Sequence, residues 1–127
     1  MLAAEDRLLF DRGEIAKVPY LLGANNDEGT TLVIRATPLA DEAEYQADLE
    51  KRYGEAAPKI AALYPPSKFD GDVNLARAHA IGDASLTCGT HDTARRAAKA
   101  GLKVYLYNFN MPWSLAPTLL RAGHASE

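Results

Sequence analysis

The sequence predicts an α/β chain: two parallel strands joined by a crossover of about four helices. Three observations predict it. Residues 18–24, VPYLLGA, are a short apolar run with a proline near its start, which reads as a buried strand. Residues 103–110, KVYLYNFN, are rich in β-branched and aromatic residues and read as a second strand. The stretch between them carries helical spacing and no third strand signal, and strands joined by a helical connection pair in parallel.

Taken in order, residues 1–17 hold Leu8, Leu9 and Phe10 among charges and read as a helical turn or a lead-in loop ended by Gly13. The first strand follows, and Gly23, Ala24, Asn25, Asn26, Asp27 and Gly29 then break it into a loop. Residues 29–36 start a short helix with Leu32, Val33 and Ile34, closed by Pro38. Asp41 is an N-cap with Glu44 as its capping-box partner. Tyr45, Leu49 and Tyr53 recur at four-residue spacing on one helical face. Lys51 and Arg52 suit the last turn of that helix, and Gly54 suits its end. A helix over 57–64 buries Ile60, Leu63 and Tyr64 before Pro65 and Pro66 stop it. Residues 67–72 are a loop. Residues 73–81 form a helix in which Ala76 and Ala80 allow close packing, and Gly82 breaks it. Asp83 caps a further helix over 84–100, ended by Gly101, and the second strand follows.

Glu28 stands just past the C-terminal end of the first strand, where α/β proteins place ligands and chemistry. Taken alone it is a solvated loop carboxylate. The second strand, however, is followed by a loop with Pro112, Trp113 and Pro117 that leads to Gly123 and His124. Strand then acid, helices, strand then histidine is the back half of a Ser…Asp/Glu…His triad in α/β-hydrolase order. VPYLLGANNDEGT resembles the triad-acid segment of type B carboxylesterases, the family that includes the cholinesterases. AGHASE resembles that family's histidine segment, and IGDASLTC with the helix and VYLYNF resembles the stretch that connects the two.

The resemblance covers nearly the whole chain and implies a partial α/β-hydrolase fold. It implies a serine esterase working through an acyl-enzyme, with Glu28 as triad acid and His124 as general base. It implies a structural role for Glu127, a recurrent position for Asp83, and a partner for Cys88 outside this chain, if there is one. No G-x-S-x-G occurs, so the nucleophile and the oxyanion-hole loop are expected elsewhere in a longer protein. This chain, the C-terminal part of a catalytic domain, is expected to be inactive by itself. Its substrate, a small ester, is expected only in the full-length parent.

The remaining composition narrows the alternatives. The 127 residues are 47% apolar and 24% charged, ordinary for one globular unit. A net charge of −3 and no basic patch argue against nucleic acid, and no apolar run reaches membrane-spanning length. No cofactor or metal is expected. There is no G-K-S/T and no G-x-G-x-x-G for a nucleotide, and His79 and His91 read as helix packing or surface residues. Cys88 reads as a small buried hydrophobe, and Trp113 as a packing residue. A non-catalytic, cholinesterase-like interaction protein is the alternative function, against which both testable triad positions stand. The isolated chain is expected to self-associate through the unpaired side of its first strand.

Overall fold

The computed structural model describes residues 4–112, 114 and 121–124. Helix α1 (Ala4–Arg12) is followed by strand β1 (Tyr20–Asn25), a single turn α2 (Gly29–Leu32), α3 (Glu42–Tyr53), α4 (Ala57–Leu63), α5 (Val73–Gly82), α6 (Cys88–Lys99) and strand β2 (Val104–Phe109). The strands pair in parallel, with Tyr20 opposite Val104 and Asn25 opposite Phe109. Their C-terminal ends therefore lie side by side.

Strand β1 starts two residues later than the apolar run suggests. Pro19 has no N–H to give to the ladder, so pairing begins with the Tyr20 N–H donating to the Lys103 carbonyl at 2.8 Å. It carries on past the strand, where the Asn26 N–H donates to Phe109 O at 2.7 Å. Strand β1 is only partly buried, against expectation. Leu21 is 72% exposed, and Tyr105, Leu106 and Tyr107 are exposed as well. Packing on the sheet comes from α1 and α6, where Phe10, Ala97 and Leu102 meet Tyr20 and Val104. Phe10 stands edge-on to Tyr20 with ring centroids 6.0 Å apart. Arg96 on α6 grips both Asp11 carboxylate oxygens at 2.7 Å, tying α6 to α1.

The second core lies among the crossover helices, around Tyr45, Leu49, Ala57, Val73, Ala76 and Ala80. Helix α3 forms as its sequence dictates. Asp41 Oδ1 accepts the Glu44 N–H at 2.9 Å, and Glu44 reaches back one residue beyond the cap to the Ala40 N–H at 2.8 Å. Tyr45 and Leu49 are fully buried. Burial, then the nearby Tyr53, Asp48 and Glu42, push the Tyr45 hydroxyl up to about 12. Leu63 is exposed rather than packed, because α4 ends there and Ile60 and Tyr64 face the core instead. The stretch expected as a loop after Pro65 contains a 3₁₀ turn, Pro66–Phe69.

The largest departure is at Gly82, which does not break the helix. Helix α5 runs through a π-helical turn, Asp83–Thr87, directly into α6. Asp83 is therefore not an N-cap; its carboxylate accepts the Tyr64 hydroxyl at 2.5 Å. The glycine answers a packing need instead. A Cβ on Gly82 would stand 2.5 Å from the Gly29 nitrogen, and one on Gly29 would fall on the Ala78 carbonyl. Glycines on both sides let the start of α2 press against α5. Cys88, at the start of α6, is exposed and not a core residue. With α5 and α6 fused, the connection between the strands consists of four helical bodies.

Candidate active site

The site is built where β1 ends. Asn25 is the last residue of the strand and is 2% exposed. Its N–H donates to Glu28 Oε1 at 2.7 Å, which folds the Glu28 side chain back over its own loop. The turn closes as the Thr30 N–H and Thr30 Oγ1 both donate to the Asp27 carbonyl, at 3.0 and 2.9 Å. Glu28 has helical φ and ψ and leads into α2, and the close Gly29–Gly82 approach fixes this turn on α5.

The second half of the site is the segment 121–124. Its backbone is held at two points by the β1 loop. Asn25 Nδ2 donates to the Gly123 carbonyl at 2.7 Å. The Asp27 N–H donates to Ala122 O at 3.0 Å, and the Ala122 N–H donates in return to Asp27 Oδ2 at 3.2 Å. Ala122 is 1% exposed. His124 follows directly, and its Nδ1 lies 2.9 Å from Glu28 Oε2. The structure thus brings together the two residues singled out from the sequence, 96 positions apart. Glu28 is buried; the His124 side chain is half exposed. Chemically, a buried carboxylate on Nδ1 fixes the imidazole's tautomer and leaves Nε2 on the opposite side of the ring to take or give a proton.

A second acid–histidine pair lies beside the first. Asp27 Oδ1 is 3.2 Å from His79 Nε2, and the His79 ring lies against Phe69 with centroids 4.8 Å apart. Burial alone would raise the Asp27 carboxyl. The hydrogen bonds from His79, the Ala122 N–H and Asn26 outweigh it and hold the group below the usual carboxylate range. Reading the sequence missed Asn25, Asp27 and His79 as parts of this constellation. The available signals were the position of Asp27 next to Glu28 and a lone imidazole in the small-residue run ARAHAIG. His91 is exposed on α6 and away from these contacts. Trp113 and Glu127 lie outside the described residues. Among the described residues no group of three or more potential metal ligands occurs, and no helix is long and apolar enough to cross a membrane.

No protein-family model matches this chain. It is similar to part of an esterase, the fumonisin B1 esterase of Sphingopyxis macrogoltabida. The two are 32% identical over 100 residues, which is 79% of this chain and 18% of that protein. The chain therefore spans less than a fifth of the length of the relative it matches.

Proposed function

We propose that this chain is the acid- and histidine-bearing part of a serine carboxylesterase of type B, with Glu28 as triad acid and His124 as general base. The observation that carries the reading is the 2.9 Å contact between Glu28 Oε2 and His124 Nδ1 at the C-terminal end of two parallel strands. The similarity to a segment of an esterase supports it.

In this reading His124 Nε2 takes the proton of a serine supplied by another part of the protein as the serine attacks the ester carbonyl. Glu28 keeps the tautomer with hydrogen on Nδ1 and stabilises the imidazolium that forms. The imidazolium then returns the proton to the leaving alkoxide, and a water activated by the same nitrogen releases the acid. The half-exposed ring beside a buried carboxylate suits this cycle, since one face of the pair is fixed and the other is open to reactants. The substrate is a small ester. This chain alone does not turn it over, because it lacks the nucleophile elbow and the oxyanion-hole amides.

The test is Glu28→Gln in the full-length protein, assayed on a short p-nitrophenyl ester. The amide keeps the shape but favours the wrong tautomer, and the expected loss in kcat is on the order of 10⁴ with KM little changed. A loss of less than about tenfold removes Glu28 from the role of triad acid.

A further inference from the structure

We propose that His79 is a positioning residue for His124, acting through Asp27 and the backbone of Ala122. The inference rests on the reading of His124 as general base and goes beyond it by naming what holds that base in place.

The geometry forms one connected path. His79 Nε2 meets Asp27 Oδ1 at 3.2 Å, and the other oxygen, Oδ2, accepts the Ala122 N–H at 3.2 Å. The Asp27 N–H closes a second bond onto the Ala122 carbonyl at 3.0 Å. Ala122 lies two residues before His124, so the clasp on Ala122 sets where the imidazole meets Glu28. His79 itself is set by its place in α5 and by the Phe69 ring against it. The carboxylates meeting the two imidazoles are Asp27 at His79 and Glu28 at His124.

Exposure separates His79 from His124 in role: its side chain is 19% exposed against 52%, and its ring lies against Phe69, so it is less open to reactants. What the Asp27–His79 pair does is fix the Asp27 carboxylate in rotation. Without His79, Oδ1 loses this partner, and only the bonds from Asn26 and the Ala122 N–H hold the side chain against rotation. A carboxylate held by fewer bonds holds the Ala122 N–H less firmly. A general base misplaced by about 1 Å costs up to roughly a hundredfold in rate.

The experiment uses the full-length enzyme, with active sites counted by a serine-directed phosphonate so that only folded enzyme enters the rate. His79→Phe is expected to lower kcat per titrated site by about tenfold to a hundredfold, with KM within about twofold. The pH dependence of kcat/KM should change together with the rate, because the Glu28–His124 contact that the clasp positions is loosened. His79→Gln keeps an N–H donor and should recover most of both effects. A purely structural role would lower the number of titrated sites and leave rate per site and pH profile unchanged; that result overturns the proposal. Should His79→Phe yield no titratable enzyme, Asp27→Ala decides on the same two readouts. It removes both the partner of His79 and the acceptor for the Ala122 N–H, and parent-like behaviour overturns the proposal equally. A parent enzyme that neither labels nor turns over ester overturns the esterase reading and this inference together. A titratable parent with an unperturbed His79→Phe overturns this inference alone.

Discussion

Asp27 and Glu28 are chemically near-identical neighbours set to different tasks by what their oxygens meet. Glu28 spends one oxygen on the Asn25 backbone and the other on an imidazole half open to solvent. Asp27 spends both oxygens on contacts that are closed off, to His79 and Ala122. This makes Asp27 a source of acid sensitivity. Its carboxyl is held below the ordinary range in the folded chain, so the folded state binds that proton less readily than the unfolded one. The group therefore adds stability above about pH 4, the ordinary carboxylate range. That stability is lost as pH falls through the lower range of the folded group. Acid unfolding followed by circular dichroism should show Asp27→Asn with a shallower loss of stability below about pH 4 than the parent. An unchanged acid limb would show that the carboxylate makes no net contribution.

At the scale of elements, the crossing of α2 over α5 decides how the acid is presented. Gly29→Ala places a methyl on the Ala78 carbonyl, and Gly82→Ala places one against the Gly29 backbone. Neither neighbour is a side chain that can swing away. Each substitution is expected to cost at least about 1–3 kcal/mol, the usual cost of overpacking, read as a lower midpoint in urea. Gly82→Ala should also raise helix propensity, so a stabilised variant would show that α5 shifts freely and that the close approach is dispensable. The same crossing explains what the sequence could and could not disclose. Helix α3 was legible because the Asp41 cap, the Tyr45–Leu49 face and Gly54 all agree locally. The strands and the Glu28–His124 pairing were legible because strand, acid, strand and histidine follow in one order along the chain. Gly82 misled because propensity reads a glycine as a stop, and only the helix across from it reveals the packing that requires one. The π-helical turn carries no distinct sequence period. The Asp27–His79 contact depends on how α5 is rotated, which no local pattern encodes.

For the molecule as a whole, apolar surface is left on the sheet. Val18, Leu21, Tyr105, Leu106 and Tyr107 are exposed, and among the described residues the sheet has two strands, each pairing with another strand on one side only. Such edges pair with other chains unless they are covered. In a larger hydrolase, further strands would cover them. The isolated chain is therefore expected to self-associate, which size exclusion with light scattering would show as a mass that rises with concentration. A concentration-independent monomer with sharp near-ultraviolet dichroism would show that the chain is self-sufficient. The parallel pairing also sets a schedule for biosynthesis. Glu28 leaves the ribosome 96 residues ahead of His124, roughly five to twenty seconds at ordinary elongation rates. The α3–α4–α5 core can assemble in that interval, whereas β1 must wait for β2. During each round of translation the side of the acid-bearing strand that pairs with β2 is thus a nascent edge still waiting for it. Chaperone capture or a translational pause would matter most for this protein in that window.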